Sequence, residues 1–357
     1  MATKEEVQSF LNQMKEKIKV FGIIHLNNND MQSPFTGGHA TLRHELSELT
    51  FRKEKFQYVH QFYECDETKE RFTTTALDEV NIGQVYNQYR AKYGIPFPDE
   101  IKRIRQRYGL PASKMSQILG FGDNQYRLYE NGDMPSEANG KILMSIQNPQ
   151  IFESFVVNAR NQFEEEEFIK ILHKVKAINT NANDAFIKDY IFNGSRRDIF
   201  NGYATQSISK LKNIILFYIE KYHGVFFTMM NKLLFYTDFY SYKMTSKGMS
   251  GLAYKAIQRG PVPIRWDRIY SFYDDIQQEI VHFESGAEGT RLTSTLSPDL
   301  SEFSDEELEI LETIYQRFKA DNSTKISDIS HSEDAWQKYV DSGQMINFDM
   351  AFTLKAI

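Results

Sequence analysis

The stretch Asn231–Trp266, NKLLFYTDFYSYKMTSKGMSGLAYKAIQRGPVPIRW, decides how this chain is read. Its first half is apolar and aromatic at helical spacing. Leu233, Leu234, Tyr236 and Phe239 fall on one face and predict a core helix. The segment TSKGMSG interrupts the pattern, and Pro261 and Pro263 fix φ and forbid helix, so a rigid elbow should follow AYKAIQR. Yet the stretch holds no evident nucleophile, no paired carboxylates and no metal-ligand spacing. A pattern this specific without chemistry points to a scaffold or a contact surface.

Bulk properties narrow the classes. A chain of 357 residues predicts two or three domains. Its 27 Phe and 20 Tyr imply aromatic-rich cores or large contact surfaces. The net charge of -6 argues against a protein that coats nucleic acid, so any DNA contact must come from a local patch. Cys65 is the single cysteine, which excludes an internal disulfide and fits a reducing compartment. The first 20 residues are charged and amphipathic rather than signal-like, and no apolar run approaches the ~20 residues of a membrane span. These features predict a cytoplasmic protein.

The pattern along the chain divides it into four parts. Residues 1–77 combine an amphipathic helix (Val7, Phe10, Leu11, Met14, Ile18) with turn-rich and then alternating segments that predict a small antiparallel sheet. Residues 78–150 read as a compact helical domain. Residues 151–206 read as a helical and polar connector, and residues 207–357 as a second helical block. The expected class is mainly α with a small N-terminal antiparallel β element, in several domains. The run EEEE at 164–167 is a solvated helix face.

Within residues 98–147, Ile101 and Ile104 point one helix inward, Gly109 ends it at a C′ position, and Pro111 opens the next. The turn GFGD leads to a short third helix from Asp123 or Asn124, and Ser136 starts a fourth. Two short helices joined by a Gly-containing turn describe a helix-turn-helix. The run LPASKMSQILGFGDNQYRLYENGDMPS resembles the Xre/Cro-type helix-turn-helix of the MqsA antitoxins over about 50 residues. The resemblance implies that Asn124 reads bases. Gln125 and Arg127 have suitable side chains for the same task, and Lys114 would join them at the DNA. Where that family has an Arg further along the helix this chain has Leu128, and the block carries seven Lys/Arg against six Asp/Glu.

That resemblance implies that the preceding residues match the family's zinc-binding half, which needs two Cys-x-x-Cys pairs around a tetrahedral ion. Ser33 and Thr36 stand where the first pair would be; Cys65 remains from the second, with Thr68 as its lost partner. One thiolate with hydroxyls does not make a structural zinc site. The spacing of His39, His44 and His60 fits no standard site either. No metal and no cofactor are expected, and aromatic packing from Phe35, Phe51, Phe56, Tyr58, Phe62 and Phe72 should replace the ion.

The C-terminal block carries a second resemblance, to the Panacea domain, the SocA-like antitoxin-associated domain, over residues 207–345. Three separated places carry it: Lys-Leu-Leu with Asp238 (232–238), Gly-Pro-Val-Pro (260–263) and Ser-His followed by Trp336 (330–336). Ser304 and Glu307 form a capping box for the helix DEELEILETIYQRF. Asp238 and His331 are read as hydrogen-bonded core anchors rather than an acid–base pair, and no phosphate loop or hydrolase motif is present. The expectation is therefore a non-enzymatic antitoxin of a bacterial or phage toxin–antitoxin pair. Its Panacea domain would hold a cognate protein toxin, its helix-turn-helix would bind operator DNA, and a homodimer is left open. Tyr240 and Tyr242 are the expected toxin-binding anchors, with Lys243, Lys247 and Arg259 as rim charges. The alternatives are a transcription regulator with another partner, or a SocA-like adaptor that delivers its toxin to a protease.

Overall fold

The computed structural model describes residues 31–178, 189–192, 194, 196–284 and 286–357. The N-terminal helix expected around Val7–Ile18 lies outside them. The described residues are mainly helical, with a small antiparallel sheet near the N-terminus. They form two compact units, one of the residues up to Gln84 together with Tyr190–Ile357, the other Val85–Asp189.

The N-terminal sheet has the order β1-β2-β3-β4, with β1 Met31–Gln32, β2 His39–Phe51, β3 Glu54–Cys65 and β4 Arg71–Phe72. β2 and β3 form one long hairpin, in register from Ala40↔Cys65 to Phe51↔Glu54. Among the described residues β1 covers only the His39–Ala40 end of β2, and β4 only Tyr63 and Glu64 of β3. Next along the β3 edge, side chains of the helix Thr75–Tyr93 meet two residues. The Gln61 N–H donates to Asn81 Oδ1 at 2.9 Å, while Asn81 Nδ2 donates to the Gln61 carbonyl at 2.9 Å. Gln84 does the same for Val59, at 3.0 and 2.9 Å. Each buried amide thus mimics one residue of a neighbouring strand, which meets the requirement that enclosed backbone groups be paired.

In the Val85–Asp189 unit, the helices Pro98–Tyr108, Ala112–Leu119, Gln125–Glu130 and Glu137–Ser145 enclose Ile101, Ile104, Met115, Leu119, Tyr126 and Leu143. Gly109 is left-handed at φ 60°, as its C′ place requires, whereas Pro111 precedes the next helix as its cap rather than opening it from inside. Ser136 caps the fourth helix through the Asn139 N–H. The same core also receives Phe152 and Val156 from Pro149–Asn158, and Ile171 and Val175 from Glu165–Lys176. Residues 151–176, read from sequence as part of a connector, therefore belong to this core. The EEEE face is solvated while Ile171 and Val175 point inward.

In the other unit, the helix Phe227–Thr245 is buried on nearly all sides from Met229 to Tyr242, more than the one apolar face read from its spacing. Around it lie the helices Ile208–Tyr222, Asp305–Phe318, Ser323–His331 and Asp334–Tyr339. The Ser304–Glu307 capping box is present in both directions. Residues 254–263 form a hairpin, β6 Tyr254–Ile257 and β7 Gly260–Pro263, and β5 Val225–Phe226 pairs with β9 Glu288–Thr293, which pairs with β8 Gln277–His282.

The amide caps on β3 give a stability test. Gln84→Leu keeps the helix and removes both hydrogen bonds to Val59. Leaving these backbone groups unmet should cost about 1–3 kcal/mol apiece, read as a fall in the urea midpoint at unchanged slope; an unchanged midpoint would mean the amide is dispensable.

Candidate partner-binding site

The site is organised from the helix Phe227–Thr245. Asp238 on it is completely buried. Its Oδ1 accepts the backbone N–H groups of Met249 (2.7 Å) and Ser250 (2.6 Å). Its Oδ2 accepts the Ser250 hydroxyl and the Tyr254 hydroxyl (2.5 Å). Burial pushes this carboxyl up, and the four donors work against that rise. Both oxygens are occupied, and the bonds fold residues 246–253 back onto the helix so that β6 starts in register.

Six residues earlier on the same helix, Lys232 is 1% exposed and donates to the Pro261 carbonyl at 3.0 Å. Burial lowers its ammonium pKa to about 7. That carbonyl is free because Ile257↔Gly260 closes the β6–β7 turn, which makes Ala256↔Pro261 and Tyr254↔Pro263 non-hydrogen-bonded pairs. Two prolines can therefore sit in β7 without breaking its ladder. Gly260 is left-handed at φ 96°, and a Cβ there would collide with Lys232 and with the Ser330 hydroxyl. Trp336 Nε1 donates to the Ile257 carbonyl at 2.7 Å, and the His331 ring lies over Trp336 with centroids 4.3 Å apart. The three separated sequence motifs thus meet around one hairpin. Glu333, buried beside them, accepts from the Tyr236 hydroxyl and from the N–H groups of Lys355 and Ala356.

The accessible feature of this region is a groove of about 350 Å³ beside the same helix. Tyr240, Met244 and Thr245 line it from that helix, Ala76, Glu79 and Val80 from the start of Thr75–Tyr93, and Glu306, Glu309, Ile310 and Thr313 from Asp305–Phe318. Its floor is apolar and its rim holds three carboxylates.

The sequence-predicted toxin contacts scatter. Tyr240 is buried but borders the groove. Tyr242 is 1% exposed and packs edge-on against Phe348 and Phe352, so it is a core residue and not a surface anchor. Helical spacing marked only one inward face and could not show that the C-terminal segment covers the other. Lys243 is half-buried and donates to the Ile357 carbonyl, which ties it to the interior side of the helix. Lys247 supplies its backbone carbonyl to the Ser241 and Thr245 hydroxyls. Arg259 is exposed at the β6–β7 turn. The groove carboxylates were missed because they come from two helices far apart in sequence.

In the other unit, Asn124 is exposed and left-handed at φ 64° just before the helix Gln125–Glu130, whose Arg127 is exposed and Gln125 half-buried. Ser116 accepts the Tyr126 N–H and the Tyr126 hydroxyl reaches the Ile101 carbonyl, fixing this helix against its neighbours. Lys114 is ion-paired to Glu167 at 2.8 Å and lies 5.0 Å over the Phe163 ring. These contacts turn Lys114 toward its own unit, unlike the outward Arg127.

Around Cys65 the structure gathers the residues aligned with zinc ligands. Hydrogen bonds from Ser33 foremost, then Thr68 and Thr36, lower its thiol pKa to about 6, and Thr36 Oγ1 lies 3.6 Å from Sγ. Three hydroxyls and one thiol do not supply the charge of a thiolate zinc set, so the donors present do not fit that ion. His39 is engaged by Asp66 at 2.7 Å and His60 lies between the Tyr58 and Phe62 rings. Among the described residues no three His, Cys, Asp or Glu side chains group as a metal set. Beside the hydroxyl cluster, Phe72 contacts Phe35 and Tyr63.

Residues 230–337 match the family model described as antitoxin SocA-like, Panacea domain. No curated protein and no solved structure matches the chain. The matched span begins in the helix Phe227–Thr245 and ends just beyond Trp336, so it encloses the motif cluster and all of the groove except its Thr75–Tyr93 side. Among the described residues no helix is long and apolar enough to cross a membrane.

Lys232 provides a pH test. The unfolded chain keeps this amine protonated up to about 10.4, whereas the folded chain releases the proton near 7. Between those values the unfolded state binds more protons, so this group makes stability rise with pH, by at most ~1.4 kcal/mol per unit. Lys232→Met should flatten the stability profile between pH 7.5 and 9.5, measured by chemical denaturation; an unchanged slope would contradict a buried, easily deprotonated amine.

Proposed function

We propose that this chain is the antitoxin of a toxin–antitoxin pair and that it neutralises its cognate protein toxin by direct binding rather than by chemistry. The match of residues 230–337 to an antitoxin domain carries the reading. The internal hydrogen bonds of Asp238 and Glu333 support it, because they commit both carboxylates to holding the scaffold. The groove beside Tyr240 is the proposed contact. Its apolar floor and its rim of Glu79, Glu306 and Glu309 suit a toxin segment that presents Lys or Arg next to apolar side chains.

The Val85–Asp189 unit is proposed to bind operator DNA and so to autoregulate expression. Its resemblance to MqsA-type helix-turn-helix sequences and the exposure of Asn124 and Arg127 favour this; Lys114, already ion-paired, is withdrawn from the contact set. Arg127→Ala should weaken binding to the chain's own promoter by about 1–3 kcal/mol, measured by fluorescence anisotropy at fixed salt. Equal weakening on unrelated DNA would leave Arg127 a phosphate contact only.

Neutralisation is tested by expressing the chain with the product of the adjacent open reading frame. Growth should be restored and the two proteins should purify together. Glu309→Lys on the groove rim should lower affinity about tenfold or more without loss of fold. Restored growth with the toxin degraded and no complex recovered would favour the proteolytic adaptor instead. A complex indifferent to Glu309→Lys and Tyr240→Ala would move the contact away from the groove.

A further inference from the structure

The two edges of the N-terminal hairpin are treated differently. On β3, Asn81 and Gln84 satisfy the outward backbone groups of Gln61 and Val59. Groups that face the helix cannot also face β2, so the register partners His44 (↔Gln61) and Leu46 (↔Val59) form non-hydrogen-bonded pairs. Their own N–H and C=O groups therefore point out of the sheet on the far side of β2. Leu42, opposite Tyr63, follows suit, since Tyr63 pairs outward with Phe72 of β4. By the same alternation Glu48 and Thr50 face outward. Among the described residues β1 reaches only His39 and Ala40. Residues 42–50 thus present five outward backbone pairs on a strand edge that no other described strand covers, and Leu46 at its midpoint is 70% exposed. Such an edge is a template for strand pairing.

We propose that this edge pairs with the same edge of a second copy of the chain, antiparallel about a two-fold axis through Leu46. The side chains of the free stretch are complementary to themselves in this register alone. Leu46 meets Leu46, His44 meets Glu48 twice, and Leu42 meets Thr50 twice, so the exposed Leu46 side chains meet at the axis with a His–Glu hydrogen-bonding pair on either side. On the opposite face Arg43 meets Leu49 and Glu45 meets Ser47, and no like charges oppose each other. An axis through Glu48 would set two carboxylates against each other. One through His44 would run into Ala40, which β1 already covers. Centring on Leu46 uses all five outward residues, with two hydrogen bonds for each of the five pairs, about ten in all. Among the described residues the Glu48 carboxylate is paired with the exposed Lys55 alone (2.7 Å) and is accessible to a new partner.

Sedimentation of the full-length chain at micromolar concentration tests the pairing. The native chain should be a dimer, Leu46→Lys should raise its dissociation constant about tenfold or more, and His44→Glu should do likewise. The double variant His44→Glu, Glu48→Lys should restore the dimer, which separates charge pairing from misfolding. Leu46→Cys should give a disulfide-linked dimer under mild oxidation, because the native Cys65 is buried, whereas Arg43→Cys, which faces Leu49, should not. A monomeric native chain overturns the proposal. So does a dimer unaffected by Leu46→Lys and not cross-linked by Leu46→Cys. Loss of toxin binding in Leu46→Lys, with the mass of the free chain unchanged, also overturns it and assigns the edge to a strand of the partner.

Discussion

A buried carboxylate is tolerated only when its oxygens are met by donors, since an unpaired charge in the interior costs several kcal/mol. Asp238 meets that condition with two backbone N–H groups and two hydroxyls, all from residues 249–254. The consequence is directional. Those residues have one arrangement that satisfies the acid, and that arrangement delivers β6 and β7 alongside Lys232. Lys232 then fixes the Pro261 carbonyl on β7, and Trp336 fixes the Ile257 carbonyl on β6. Helices distant in sequence are thereby held against one hairpin by single hydrogen bonds of 2.7–3.0 Å.

A scaffold of this kind gives the ionisable residues of these motifs a structural task. The polar groups specify which arrangement the aromatic core adopts, while Phe235, Phe239, Tyr254 and Phe348 supply the packing. The surface beside Tyr240 and Met244 belongs to the same helix that this core encloses. Rigid surfaces lose little conformational freedom on association, which favours a tight complex.

Much of this was legible in the sequence, for reasons that differ by element. The core role of Leu233, Leu234, Tyr236 and Phe239 followed from spacing, and the Ser304–Glu307 cap from its four-residue signature. The Gly-Pro-Val-Pro break was read as an elbow; that it is a strand depends on which hydrogen bonds the prolines would have made, a matter of register. β8 went unread because a strand exposed on both faces lacks the alternation that marks a half-buried strand, and β9 because its one buried residue, Leu292, is its only apolar side chain. The amides of Asn81 and Gln84 look like solvated helix residues until their edge-capping geometry is seen. Tyr242 shows the converse: in a helix surrounded on all sides, no residue reads as outward or inward from period alone. The groove was illegible because its carboxylates come from residues 79, 306 and 309.

The central claim is that the scaffold built on Asp238 presents the Tyr240 groove to a protein toxin. Hydrogen–deuterium exchange of the full-length chain, free and with the co-encoded toxin, tests it most directly. The account predicts new protection in peptides spanning residues 76–80, 240–245 and 306–313, with the already protected 229–239 segment unchanged. Protection confined to residues 112–130, or to none of these segments in a stable complex, would contradict it.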